Sequence, residues 1–178
     1  ETVVIPEESN YTAPYWLNKK STLGMYHVDR QELIGLPETP RGVTVKFNLS
    51  IEGITLTLSK PVVYRYSRPD KGELYRPFEI IPAASSKIES KVIIFNDAKP
   101  KDITVTVKAG KNNLNGIVKL AHPEDWQVHP EIQPVNIANK DDVQKVIFTL
   151  IPPTGQSEGY ITPIVEVEGK TYTDERIE

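Results

Sequence analysis

The stretch VTVKFNLSIEGITLTLS, residues 43–59, decides the fold. Apolar and polar side chains alternate from Val43 to Ile51, and the alternation resumes at Ile54. Because successive side chains of a β-strand point to opposite faces, each run predicts a strand with one buried and one solvent-exposed face. Glu52 and Gly53 lie between the two runs, so the pair is predicted to form a hairpin with a tight turn.

Further strand-like runs follow along the chain, separated by turn signals such as Arg68-Pro69-Asp70-Lys71-Gly72. They span residues 62–66, 74–81, 92–95, 103–108, 116–121, 143–151, 160–167 and 171–173. The chain has 15 prolines, which break helix interiors, and a short turn of helix near Asp29 is the only helical signal. Short strands at roughly ten-residue intervals with no helical pattern between them are typical of β-sandwiches.

The run Ala83-Ala84-Ser85-Ser86 is the best candidate for a linker, because the alternating pattern stops before it and begins again after it. The prediction is therefore an all-β chain of two tandem Ig-like β-sandwich domains. Residues 1–84 form an N-terminal β-sandwich with an irregular leading segment, and residues 85–178 form an Ig-like β-sandwich. Each domain approaches the roughly 100 residues expected of one Ig-like unit.

Composition excludes several classes of protein. The net charge of the 178 residues is −3, and the lysines are scattered among acids, so no basic face for nucleic acid is predicted. The chain has no cysteine, which excludes disulfides, cysteine-ligated zinc and a thiol nucleophile. No apolar run reaches the roughly 20 residues of a membrane-spanning helix. The first residue is Glu1 and not methionine, so we expect a processed or excised fragment, monomeric in solution.

The segment Ala121-His122-Pro123-Glu124-Asp125-Trp126 resembles the zinc-binding loop of PIG-L/LmbE-type de-N-acetylases. A hydrolytic zinc site needs about three protein ligands and an open position for water. The second ligand element of that family, a His-x-x-His pair, is absent, and Trp126 replaces the final acid. A zinc hydrolase built on His122 is therefore the weakest hypothesis, and the segment is expected to close a loop with Trp126 in the core. No catalytic residue, metal site or cofactor is predicted.

A cluster of aromatic and arginine side chains in the first half is the candidate binding site. Flat aromatic rings can stack on the apolar face of a sugar, and guanidinium groups donate paired hydrogen bonds. The alternative is structural: Trp16 anchors the leading segment, and the tyrosines are half-buried. The candidate ligand-binding residues are Tyr15, Trp16, Tyr64, Arg65, Tyr66, Arg68, Tyr75 and Arg76.

Several motifs in the first half resemble the region downstream of the catalytic domain in large bacterial PIG-L/LmbE-type (GlcNAc-PI de-N-acetylase-like) deacetylases. They are APYWL at 13–17, GMY at 24–26, LIGLPE at 33–38, PVVYRY at 61–66 and GELYRP at 72–77. The second half resembles the Ig-like module appended to bacterial glycosidases. Its motifs are DITVTV at 102–107, PEDW at 123–126 and VIF at 146–148 before Pro152-Pro153, with Asp125 where the usual module has glycine.

The resemblance implies an exported bacterial protein, periplasmic or secreted, that acts on N-acetylated sugars through a zinc-dependent domain outside this chain. This chain is then expected to be a non-catalytic pair of accessory modules that binds glycan or packs against an upstream catalytic domain. The alternative is a structural spacer or protein–protein interaction module without a ligand, because fold alone does not assign function.

Overall fold

The computed structural model describes residues 4–6, 8–19, 21–173 and 175. These residues form twelve β-strands and two short 3₁₀ turns, Tyr15–Leu17 and Gln31–Leu33, and they contain no α-helix. The prediction of an all-β chain with sandwich-like sheets is confirmed. The chain divides into two compact units, Glu1–Ile81 (unit 1) and Pro82–Glu178 (unit 2).

Unit 1 contains two antiparallel two-stranded sheets that follow an irregular leading segment. The first is the hairpin of β1 (Thr44–Ile51) and β2 (Ile54–Pro61), and the second is the hairpin of β3 (Val63–Arg68) and β4 (Gly72–Pro77). Val62 connects the hairpins: its N–H donates to the Val43 carbonyl at 3.0 Å, and its carbonyl accepts from the Phe78 N–H at 3.3 Å.

Unit 2 is a sandwich of two four-stranded antiparallel sheets. One sheet has the strand order β5 (Ala84–Ile88), β6 (Lys101–Ala109), β10 (Val143–Ile151) and β8 (Gln127–His129). The other has the order β12 (Lys170–Tyr172), β11 (Thr162–Val167), β7 (Leu114–Ala121) and β9 (Gln133–Ile137). The inward faces of both sheets contribute to one core, in which Phe148 and Leu114 are the largest fully buried side chains.

The prediction of a buried face on residues 43–51 is wrong. Every residue of β1 and of β2 is exposed. Alternation shows that a strand has two chemically different faces, but burial of the apolar face requires a second layer. In β6 the same alternation does produce burial, because Ile103, Val105 and Val107 point into the sandwich core.

The prediction of a linker at residues 83–86 is also wrong. The boundary between the two units lies near residue 81 and not at residue 84. Ala84, Ser85 and Ser86 belong to β5 and are buried. The backbone just before them is closely packed: a Cβ on Gly110 would clash with the Pro82 carbonyl oxygen, and the Gly110 N–H donates to the Ala83 carbonyl at 2.8 Å. The small residues that suggested a linker are therefore found here because the backbone is closely packed.

Three other local predictions differ from the structure. Residues 92–95 are not a strand, although Ile93 and Phe95 pack against the core. The predicted strand at 74–81 ends at Pro77, because proline cannot donate to a ladder. Strands β8 and β9 lie between the predicted strands at 116–121 and 143–151, where no strand is predicted, and Trp126 in the same segment is half-buried at the edge of the core.

Candidate functional site

The hairpin β1–β2 has one continuous apolar side. Cross-strand partners share a face, and the register places Phe47 opposite Leu58, Leu49 opposite Leu56, and Ile51 opposite Ile54. We call this surface the apolar face. It consists of Val45, Phe47, Leu49, Ile51, Ile54, Leu56 and Leu58, which are 42% to 73% exposed.

The local sequence fixes this register. Glu52 and Gly53 both have positive φ, 50° and 81°, as a two-residue type I′ hairpin turn requires. Eight consecutive pairs follow from that turn, so the apolar residues of both strands lie on the same side. The other side is polar, and there the Thr57 hydroxyl donates to the Asn48 side-chain oxygen at 2.9 Å.

Opposite charges mark the two ends of this hairpin. Lys60 pairs with Val45 and therefore lies on the apolar face at its open end, whereas Glu52 lies in the turn at the other end. Both side chains are exposed, and neither forms an ion pair with another residue in the part of the chain that the structure describes. Among the described residues, the hairpin therefore has an unpaired cation beside the apolar face at its open end and an unpaired anion in its turn.

The hairpin β3–β4 brings three of the predicted binding residues together. The rings of Tyr64 and Tyr66 lie 5.7 Å apart with an interplanar angle of 16°. Arg76 pairs with Tyr64 across the strands, and its guanidinium carbon lies 5.9 Å from the centre of the Tyr66 ring. We call these three residues the tyrosine face. Tyr64 is 67% exposed, so its ring is available to a ligand.

Two further predicted residues, Arg65 and Tyr75, lie on the opposite side of β3–β4 as a cross-strand pair. Glu73 lies between them: its carboxylate is 3.5 Å from Arg65 and accepts a hydrogen bond from the Tyr75 hydroxyl. That hydrogen bond, reinforced by desolvation and the charge of Glu73, raises the pKa of Tyr75 above its ordinary value.

The remaining predicted residues have structural contacts. Arg68 donates from Nε and Nη2 to the two Asp70 oxygens at 3.0 and 2.9 Å, which fixes the turn before β4. Tyr15 and Trp16 pack edge to face at 4.8 Å. The Tyr15 N–H donates to the Thr39 hydroxyl at 2.9 Å, and the Tyr15 hydroxyl donates to the Leu36 carbonyl at 3.2 Å. These bonds anchor the leading segment.

The structure therefore separates the eight predicted site residues into distinct groups. The sequence placed Tyr64, Tyr66 and Arg76 in one candidate site, and the structure brings these three together. The sequence did not predict the apolar face, whose residues were assigned to a core. The alternation at 43–59 was the available signal for that surface, but it does not distinguish a covered sheet face from an exposed one.

Unit 2 offers less to a ligand. His122 is exposed, with Nδ1 2.9 Å from the Pro123 carbonyl, and the Trp126 indole N–H donates to the Ser157 hydroxyl at 3.1 Å. A shallow groove lies along residues 136–144, and side chains there bond to neighbouring groups. The Gln144 side-chain amide oxygen accepts from the Asn136 backbone N–H, and the Asn139 side-chain amide donates to the Asp142 carboxylate. Within the described ranges, no group of three or more histidine and acidic side chains is placed to hold a metal.

The described residues contain no helix long and apolar enough to cross a membrane. A comparison with protein-family models matched no family, and a comparison with curated proteins gave no significant match.

The contact between Tyr75 and Glu73 is testable by titration. Replacing Glu73 with glutamine weakens the hydrogen bond that is the main cause of the raised pKa and removes the negative charge beside the phenolate, so the pKa of Tyr75 should fall towards its ordinary value. Tyrosinate absorbance against pH, compared with the Tyr75→Phe variant to assign the signal, measures this pKa. Glu89→Gln, in unit 2, is the control and should leave the titration unchanged; an unchanged titration for Glu73→Gln would contradict the contact.

Proposed function

We propose that this chain is a non-catalytic accessory module, and that unit 1 packs onto a protein surface through the apolar face. The observation that carries the proposal is the exposure of seven apolar side chains on one side of a two-stranded sheet. Scattered exposed apolar residues are normal on a protein surface, but a contiguous patch of them marks an interaction site.

The two units differ sharply in how they bury apolar residues. Unit 2 has a core of 17 buried hydrophobic residues, whereas Leu33 is the only buried hydrophobic residue among the described part of unit 1. Of the 25 large hydrophobic side chains that are exposed in the described residues, 19 belong to unit 1. This imbalance favours an interaction role for unit 1.

The energetics of a hairpin favour the same conclusion. An isolated two-stranded hairpin is marginally stable in water, and it gains independent stability when its apolar face packs against another layer. Covering one half-exposed leucine or isoleucine contributes about 1 kcal/mol. In a spacer without a partner, these apolar side chains would stay exposed to water. The apolar face therefore favours an interaction module over the spacer alternative.

The biological setting is proposed from sequence alone. The motifs at 13–38, 61–66 and 72–77 support placing the module in an exported bacterial de-N-acetylase-like protein, with the zinc chemistry on a catalytic domain outside this chain. In that setting the chain itself holds no catalytic residue and no cofactor, and it is extracytoplasmic.

The apolar face should bind a hydrophobic dye when the chain is dilute and alone. The variant Leu49→Thr/Leu56→Thr removes one cross-strand apolar pair but retains good strand formers, so dye fluorescence should fall while the unfolding midpoint of unit 2 is unchanged. The matched control Lys46→Thr/Ser59→Thr changes a cross-strand pair on the polar side and should leave dye binding intact. A wild-type chain that binds no more dye than the double variant would contradict the proposal.

Glycan binding is a second candidate function, favoured by the tyrosine face. Tyr64 and Tyr66 present two nearly parallel rings on one side of β3–β4, and Arg76 supplies a hydrogen-bond donor beside them. A sugar ring could stack on Tyr64 while Arg76 contacts its polar substituents. In this reading the ligand is an oligosaccharide with N-acetyl groups.

The glycan candidate predicts unequal effects of two tyrosine substitutions. Tyr64→Ala should weaken binding of an N-acetylated oligosaccharide about fivefold or more, because one stacked aromatic contact contributes about 1 kcal/mol. Tyr75→Ala, on the opposite side of the same hairpin, is the control and should have little effect. Calorimetric titration measures both, and absence of heat with wild-type chain at millimolar sugar would remove this candidate.

A further inference from the structure

We propose that a second copy of this chain covers the apolar face, so that the β1–β2 hairpins of two chains pack face to face in antiparallel orientation. The inference rests on the proposed function and names the protein surface that unit 1 meets. Three observations carry it: the chemistry of the face, its area, and the charges at its ends.

The chemistry of the face suits a copy of itself. All seven of its residues are aliphatic or aromatic, and Lys60, the cross-strand partner of Val45, lies beside them on the same side of the hairpin. In a twofold dimer the same patch lies on both sides of the interface, so an apolar face meets an apolar face without burying polar partners. Two such sheets pack in layers about 10 Å apart with their strands nearly aligned.

The area is sufficient for a weak, specific dimer. Seven side chains that are 42% to 73% exposed present an apolar patch of about 500 Å², near the largest found on a typical monomer. Two such patches would bury about 1,000 Å² in total, which is the lower limit for a specific interface. We therefore expect, in place of the monomer expected from the sequence, an association that depends on concentration over the accessible range.

The end charges select the orientation. In an antiparallel arrangement the open end of each hairpin lies over the turn of the other, so Lys60 of each copy approaches Glu52 of the second copy. A parallel arrangement would bring the two lysines together and the two glutamates together, which is unfavourable for like charges. Lys60 and Glu52 have no ion-pair partner among the described residues of their own chain. In the antiparallel dimer, the second copy would supply that partner.

Charge reversal at either end tests this arrangement by sedimentation over a range of chain concentrations. Lys60→Glu and Glu52→Lys should each weaken the dimer about tenfold, because each reversal affects two equivalent pairs. Mixing the two variants should restore association near the wild-type level, since each chain then offers the charge that the other needs. The matched control Lys46→Glu changes a lysine on the polar side of β1 and should leave the dimer intact.

The apolar contact is tested by Leu49→Thr/Leu56→Thr, which should also weaken the dimer at least tenfold, with circular dichroism confirming that each variant keeps its strands. Restored association in the mixture, together with this loss, would support the proposal. A wild-type chain that is monomeric at every concentration but binds the hydrophobic dye would overturn the second copy as occupant and leave the proposed function standing. A monomeric chain that binds no dye would overturn both.

Discussion

A β-sheet with one apolar face requires a second layer to cover that face, and this requirement explains most of what distinguishes the two units. In unit 2, strands β6 and β10 of one sheet and β7 and β11 of the other point their alternate residues at each other, and Phe148, Leu150 and Val118 are fully or nearly fully buried between them. In unit 1, the hairpin β1–β2 has the same alternation, but its apolar side chains remain about half exposed. In unit 2 the two sheets therefore cover each other. Among the described residues of unit 1 no second sheet covers the apolar face, and this is why we propose a partner for it.

The positions of strands were easier to predict from the sequence than the burial of their side chains. The alternation at 43–59, the Glu52-Gly53 turn and the strand at Val143–Ile151 could all be read from the sequence, because side-chain period and turn chemistry are local properties. Burial of Val45 or Phe47 could not, since it depends on a layer far away in sequence or on another chain. The run Ala83–Ser86 was wrongly predicted to be a linker for a related reason. Small residues are common both in flexible linkers and at close backbone contacts, and the approach of Pro82 to Gly110 shows a close contact here.

The candidate site shows the same limit. Tyr64 and Tyr66 are two residues apart on a strand, so their common side is predictable, and so is the opposite side of Arg65. The roles of Arg68 and Tyr15 were not predictable, because their partners, Asp70 and the carbonyl of Leu36, are set by the turn and by the path of the leading segment. Residues of similar chemistry thus divide into a group that remains available to a ligand and a group already engaged within unit 1.

The two surfaces of unit 1 suggest a division of roles within one small region. The apolar face of β1–β2 suits a protein surface, and the tyrosine face of β3–β4 suits a planar or sugar-like ligand; Val62 links the two hairpins through hydrogen bonds to Val43 and Phe78. Unit 2 has a buried core of its own, to which neither surface contributes a residue. We thus propose that unit 1 makes the contacts with partners, while unit 2 is a sandwich stabilised by its own core.

Unit 2 is stabilised by its own core, whereas the hairpins of unit 1 lack a covering layer among the described residues, and residue-resolved amide hydrogen exchange in the dilute chain distinguishes the two. We expect amides of β6 and β10 to exchange only through global unfolding, and amides of β1 and β2 to exchange much faster through local opening. Equal protection of β1–β2 and β6–β10 in a chain shown to be monomeric would contradict it, because the hairpin would then have a stabilising layer of its own.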